Sequence, residues 1–476
     1  MAEPKPFDFK NNISKALKDR QLRKNLRAAM DGLRVKRLAV FDDPRELAEL
    51  RRHGNAVKAR ALSRLPQLLE QLERNCTRNG IRVHWAETTQ EANRIVLEII
   101  QGHNATRLVK GKSMVSEEMH LNRFLADHGI EALETDLGEF IIQLDGETPS
   151  HIIVPAVHKN RDQIARTFHA KIPGAPYTEE VEALNRIART TLREKFQAGQ
   201  VGLSGVNFAV AETGTLCLVE NEGNGRMCTT VPPVHIAVMG IEKVVEKLEE
   251  VPPLLRLLTG SATGQRITTY VNMITSPRKP GERDGPREVH LVLLDNGRSR
   301  IYADPELRRT LYCIRCGTCL NHCPVYTRLG GHAYGFVYPG PIGKILTPQI
   351  EGLEAAGELA TASTLCNACE EVCPVRIPIP ALIRRIRNAS YDASPSETIP
   401  GHGYRRNPID TLTWKAWSLM NIHPALNRLS TTLVGRFGHW LPKLGPLKAW
   451  TDVRSRPPFA RKSLHQLVRK KGVPDE

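Results

Sequence analysis

No stretch of eighteen apolar residues occurs in the 476-residue chain, so a membrane-spanning helix is not expected. The ten cysteines are too few for a small scaffold stapled by disulfides. The first 36 residues lack an apolar core and carry Glu3, Asp8, Asp19 and Asp31 among their basic residues, which argues against a secretory signal or a transit peptide. No Gly-x-Gly-x-x-Gly follows a strand-like run, so neither a nicotinamide nor a flavin fingerprint is present. The fragment Lys110-Gly111-Lys112-Ser113 lacks the first glycine of a Walker loop; its strand-to-helix turn offers at most an anion site. These absences point to a soluble protein in a reducing, cytoplasmic compartment. Clustered cysteines there are metal ligands more often than disulfides.

What the chain does have is unevenly placed. Of its net charge of +16, residues 377–476 contribute +11, from 17 Lys/Arg and 6 Asp/Glu, together with four of the five tryptophans. Such a segment is either a solvated basic face with its tryptophans packed inward, or a docking surface for an acidic protein or a membrane. No nucleic-acid motif accompanies it, so a nucleic-acid partner is not expected.

The length suggests roughly two to four domains. Residues 1–75 have helical spacing, seen in Ile13, Leu17, Leu22, Leu26, Met30 and Leu33 and again from Pro44 to Arg74. Residues 76–300 alternate strands and helices. Strands are expected at Ile81–Trp85, Arg107–Lys110, Ile152–Val154, Val206–Val210, Leu216–Glu220, Val234–Met239, Ile267–Ile274 and Val289–Leu294. Helices are expected at Thr89–Gly102, at Ser116–His128 capped by Ser113 or Ser116, and after Thr178 up to Gly199. Val/Ile/Leu-rich strands between helices predict an α/β fold with buried parallel strands. Residues 301–395 hold seven of the ten cysteines, with helices expected at Ile350–Thr364 and Ile379–Tyr391. Residues 396–476 form the basic extension, in which Gly and Pro are expected to leave only short helices.

The strongest chemistry lies in two cysteine runs. Cys313-Ile314-Arg315-Cys316-Gly317-Thr318-Cys319-Leu320-Asn321-His322-Cys323-Pro324 has the C-x2-C-x2-C-x3-C-P spacing of bacterial ferredoxins. Three close thiolates hold one iron–sulfur cube, and the fourth cysteine turns to the other cube. Zinc more often takes two separated C-x2-C pairs. The second run, Cys366-Asn367-Ala368-Cys369-Glu370-Glu371-Val372-Cys373-Pro374, repeats the last three cysteines and the proline, with Ser363 at the place of the first. The exchange rule predicts one cluster on Cys313, Cys316, Cys319 and Cys373. It predicts a second on Cys323, Cys366 and Cys369, whose fourth ligand is Ser363, a water, another side chain or a partner's group, unless that site holds [3Fe-4S] rather than [4Fe-4S]. The ordinary reading of Ser363 is a loop or cap serine.

The wide separation of the runs and their flanking helices resemble the α-helical ferredoxin modules of succinate dehydrogenase and heterodisulfide reductase subunits. Further motifs are Cys323-Pro324-Val325-Tyr326, Gly330-Gly331-His332-Ala333-Tyr334-Gly335, Tyr338-Pro339-Gly340-Pro341-Ile342-Gly343, Ala211-Glu212-Thr213-Gly214-Thr215 and Leu293-Leu294-Asp295-Asn296-Gly297-Arg298. Together they resemble the lactate utilisation protein B family over nearly the whole chain. The resemblance implies a lactate-utilisation domain of the sugar-isomerase and CoA-transferase type of α/β fold, followed by the two-cluster module. It implies electron transfer in L-lactate oxidation to pyruvate, with two partners: a cysteine-rich-domain protein and a smaller lactate-utilisation-domain protein. A membrane-associated acceptor would place the chain at the inner face of the membrane. The alternatives are a self-sufficient lactate dehydrogenase and a hydrolyase-like enzyme using an open iron.

Weaker signals remain in the α/β region. Gly260–Gln265 reads as a turn or a phosphate loop, and Glu212 as a structural hydrogen bond or an acid–base group. His151 and His158, with Arg161, are either core and surface residues or a proton-moving, carboxylate-binding set. Cys217 and Cys228 read as small buried residues, and Cys76 carries no specific signal. No residue is assigned to contact lactate.

Overall fold

Aspartates start the first three helices. Asp8, Asp19 and Asp43 accept backbone N–H groups at the N-termini of Phe9–Lys18, Arg20–Val40 and Pro44–Ser63, and Pro44 occupies a first-turn position where no N–H is needed. The helical stretch expected over 44–74 breaks at Arg64 into a further helix, Leu65–Arg78. Leu65, Leu68, Leu69, Leu72 and Cys76 form the buried stripe of that helix. Cys76 is thus a core residue. The computed structural model describes residues 8–391, 398–403, 408–440 and 458–472. The chain divides into two compact units, 1–403 and 404–476.

Among the described residues, ten strands follow the N-terminal helices: β1 (Arg82–Ala86), β2 (Arg107–Lys110), β3 (Glu131–Glu134), β4 (Val201–Gly205), β5 (Phe208–Val210), β6 (Thr215–Glu220), β7 (Val234–Gly240), β8 (Val244–Val245), β9 (Tyr270–Ile274) and β10 (Glu288–Leu294). Six make a parallel sheet in the order β1-β10-β7-β4-β2-β3. Alternate residues go to opposite faces, as the two-residue period of a strand requires. On β10, Val292 and Leu294 join the helices Thr89–Gly102, Met114–Glu118 and Leu121–Asp127 on one face. Val289, Leu291 and Leu293 enter the large core on the other face, which also contains the N-terminal helices and Cys316, Cys319, Cys323 and Cys373. The cysteine module is therefore packed on one face of the parallel sheet.

Several expectations need correction. The second sheet, β8-β5-β6-β9, is mixed: β6 runs antiparallel to both β5 and β9. Ile152–Val154 is not a strand, because Ile153 N–H and Val154 N–H both donate to His151 Nδ1 in place of a ladder. The helix expected over 116–128 is interrupted at His120, whose φ is 50°, although Ser113 caps it as expected. Thr178 does not cap the helix Val181–Ala198; Glu180 holds that position and Thr178 Oγ1 accepts the Glu180 N–H. Gly260 lies in the helix Val251–Ala262, where an added Cβ would come 2.4 Å from Phe41, so the phosphate-loop reading fails. The helix expected over 350–364 begins earlier, at Gly340–Glu351, and continues as the short pieces Leu353–Ala356 and Gly357–Thr361. Ile379–Tyr391 is helical as expected.

The second unit has helices Pro408–Ile422, Pro424–Phe437 and Leu464–Lys471, two of them longer than its Gly and Pro content suggested. Its described tryptophans are not packed inward. Trp414 and Trp417 meet edge to face and are 65% and 54% exposed, and Trp440 is 86% exposed. Trp450 lies outside the described residues. No helix among the described residues is long and apolar enough to cross a membrane.

Candidate metal centre

Each cysteine run folds as a tight loop entering a one-turn helix, Thr318–Asn321 in the first and Ala368–Glu371 in the second. Left-handed residues bend both loops: Arg315 and Gly317 in the first, Leu365 and Asn367 in the second. Glycine adopts that conformation without strain, while arginine, leucine and asparagine must be held there by their surroundings.

Cys313, Cys316, Cys319 and Cys373 line one cavity with about 360 Å³ of space between atoms. Cys323, Cys366 and Cys369 line another, of about 310 Å³, together with Ser363 and Lys344. Each cavity thus combines cysteines of both runs. All ten cysteines are free thiols. Cys217, Cys228 and Cys76 are buried elsewhere, and burial pushes each thiol up to about 12.

Backbone N–H groups point at the sulfurs of both cavities. Arg315 N lies 3.4 Å from Cys313 Sγ, Ile377 N 3.4 Å from Cys373 Sγ, and Tyr326 N 3.5 Å from Cys323 Sγ. Lys344 Nζ stands 3.7 Å from Cys323 Sγ. Burial pushes the Cys373 thiol up to about 11 and that of Cys369 to about 12, and raises those of Cys316 and Cys319. Such thiols keep their protons until a cation replaces them. Four converging thiols with inward N–H groups fit a thiolate-held iron–sulfur cluster, and the second cavity fits one with three thiolates and an oxygen beside them.

The N-terminal helices position both loops. Arg34 Nε donates to Asn321 O at 2.6 Å, Arg51 Nε to Cys373 O at 2.9 Å and Arg51 Nη2 to Glu370 O at 3.0 Å, while Asn55 Nδ2 donates to Val375 O at 2.7 Å. Sequence reasoning found none of these residues, because their surface-like spacing carries no sign of the carbonyls they reach. His151 belongs to the same support. It is buried, its Nε2 is 2.9 Å from Asn321 Oδ1, and burial lowers it to about 4.

The other candidates do not join the cysteines. Lys110 is buried between Glu117 and Glu134, Lys112 Nζ donates to Ile153 O, and Ser113 caps a helix, so the Gly-Lys-Ser fragment forms no phosphate cradle. Glu212 Oε2 accepts the Leu248 N–H, the structural role. His158 Nε2 pairs with Glu147 Oε2 at 2.6 Å on the wall of a wider cleft shared with His120, His332, Glu118 and Tyr338, while Arg161 is exposed at the start of a helix.

Three family descriptions match successive stretches of the chain. The LUD domain matches residues 69–294, the 4Fe-4S dicluster domain residues 309–377, and the C-terminal region of lactate utilisation protein B residues 385–473. The chain is 41% identical to Lactate utilization protein B of Shouchella clausii, covering 95% of this chain and 94% of that protein. It is 40% identical to the namesake protein of Bacillus subtilis, covering 94% and 93%. It is also 40% identical to an uncharacterized electron transport protein, YkgF, of Escherichia coli, covering 97% and 96%. A solved structure of a duf162 family protein from Deinococcus radiodurans aligns with 48% of this chain and 98% of its own, at 13% identity and a TM-score of 0.29. The class is thus an α/β LUD domain followed by a 4Fe-4S dicluster, ferredoxin-type domain. Within that class, the chain belongs to the lactate utilisation protein B family.

Proposed function

We propose that this protein is an iron–sulfur electron carrier in the oxidation of L-lactate to pyruvate, acting with partner subunits. The observation that carries the reading is the sharing of each cavity between the two cysteine runs. Cys313, Cys316, Cys319 and Cys373 would hold one [4Fe-4S] cluster. Cys323, Cys366 and Cys369 would hold the second. Bound clusters of this kind accept and release single electrons. The chain's own contribution is electrostatic: the N–H groups at Cys313, Cys323 and Cys373, with Lys344, favour added negative charge on the sulfurs. Cys319 and Cys323 lie on different cavities but only four residues apart, which supports transfer between the two sites. The lactate part of the reading is supported by the names of the relatives.

The two partners are a cysteine-rich-domain protein and a smaller lactate-utilisation-domain protein. Anaerobic reconstitution with both is the test. L-lactate is expected to reduce the clusters, seen by low-temperature EPR, only when the partners are present. Reduction of the isolated protein would instead favour a self-sufficient dehydrogenase, and zinc without iron in the purified protein would end the electron-carrier reading.

The exposed Trp414, Trp417 and Trp440 and the basic charge of the second unit support a docking role. Deleting residues 404–476 is expected to weaken co-sedimentation with partners or anionic vesicles while leaving iron content unchanged. Undiminished binding would remove that role.

A further inference from the structure

We propose that Ser363 is the fourth protein ligand of the second iron–sulfur site, through its Oγ. This rests on the assignment of Cys323, Cys366 and Cys369 to that site. A shift of fifty positions carries Cys316 onto Cys366, Cys319 onto Cys369 and Cys323 onto Cys373, and the same shift carries Cys313 onto Ser363. The backbone repeats with it. Arg315 and Leu365 have φ of 61° and 55°, and Gly317 and Asn367 have φ of 70° and 63°. A left-handed conformation is strained at a non-glycine residue. Its recurrence at matched positions therefore marks one loop design used twice.

The hydrogen bonding repeats as well. Arg315 N–H donates to Cys313 Sγ at 3.4 Å, and Leu365 N–H donates to Ser363 Oγ at 3.2 Å. The serine oxygen thus takes the position relative to its loop that the cysteine sulfur takes in the first run. Ser363 lines the same cavity as Cys323, Cys366 and Cys369. Its own backbone is fixed, since Arg387 Nη2 donates to Ser363 O at 2.6 Å and Ser363 N–H donates to Thr361 O at 2.8 Å. A serine serving only as a turn cap needs the Leu365 bond alone, and nothing in that role requires it to line a cavity with three cysteines.

A hydroxyl oxygen has two lone pairs, so one accepts the Leu365 N–H while the other meets iron. Formation of the Fe–O bond releases the hydroxyl proton to solvent, which reaches the site beside the exposed Cys366, and no electron is transferred. Oxygen is a harder donor than sulfur and favours ferric iron, so the second site has a lower reduction potential than four cysteines would give it.

The test uses full-length protein purified anaerobically, with Mössbauer spectra, EPR and redox titration of Ser363→Cys and Ser363→Ala. Ser363→Cys is expected to raise the potential of the second site and leave the first unchanged. Ser363→Ala is expected to lose one iron from the second site and show a three-iron EPR signal on oxidation. Wild-type spectra and potentials in both variants would overturn the proposal. So would hyperfine broadening of the wild-type second-site signal in ¹⁷O-enriched water, which assigns the position to water. If Ser363→Ala does not fold, the Ser363→Cys potential and the isotope measurement decide alone.

Discussion

Cys373→Ala is expected to abolish the iron–sulfur site built on the first cysteine run and to spare the site that holds the rest of its own run. Cys373 shares a cavity with Cys313, Cys316 and Cys319, while Cys366 and Cys369 face the other cavity with Cys323. Its carbonyl is fixed by Arg51 and its sulfur is met by the Ile377 N–H, so its backbone and its sulfur are both held at that cavity. Anaerobically purified Cys373→Ala should therefore hold roughly half the wild-type iron and acid-labile sulfide, with the EPR signal of the second site intact. Cys313→Ala should give the same spectrum from the far end of the motif. Cys323→Ala should give the complementary one, removing the second site although it belongs to the first run. A Cys373→Ala protein that loses the signal also lost in Cys366→Ala would contradict the exchange. The loss should cost stability too, because Ile314, Ile342 and Ile377 line the vacated cavity.

The cysteine spacing was legible because ligand geometry acts over a few residues, and a cube of fixed size imposes fixed intervals on any chain that wraps it. Strands β2, β7 and β10 were legible for a similar reason, as short runs of Val, Ile and Leu buried on both faces. Strand β4, Val-Gly-Leu-Ser-Gly, was not. Its glycines weaken the pattern, yet Gly202 is needed because an added Cβ would lie 1.8 Å from Cys228 O. Strand β3, Glu-Ala-Leu-Glu, has a helix-former's composition and was missed because pairing with β2 overrides propensity. The support of the metal loops by Arg34, Arg51 and Asn55 was invisible for another reason. These bonds join residues some three hundred positions apart and leave no local pattern.

Arg298→Met is expected to be among the most destabilising single substitutions in the chain. The Arg298 side chain is fully buried, with Nη2 2.8 Å from Glu118 Oε2 and Nε 2.7 Å from Glu242 Oε2. Arg315, inside the first cysteine loop, reaches Glu242 at 3.2 Å and stacks on Tyr338, whose hydroxyl donates to Glu118 at 2.6 Å. The network therefore ties the α/β domain to the loop that presents Cys313 and Cys316. Removing Arg298 leaves two buried carboxylates short of a counter-charge, a change that typically costs about 3–5 kcal/mol. Burial alone would raise Glu242, but Arg298 and Arg315 hold it at about 2, and Glu118 is likewise held below its usual range. An unfolded glutamate titrates near about 4.3. This stabilisation is therefore complete above that pH and is lost as pH falls through the folded value. Urea unfolding of the cluster-loaded protein should show the wild-type midpoint falling between pH 5 and the acid limit, with Arg298→Met lower at neutral pH and flatter over that range. Glu242→Gln combined with Arg298→Met should recover part of the loss, because it removes one of the stranded charges. An Arg298→Met midpoint equal to wild type at pH 7 would show that the network carries no net stability. A lower midpoint together with an altered EPR signal of the first site would show that the same five side chains, drawn from positions 118 to 338, set both the docking of the cysteine loop and the electrostatics around it.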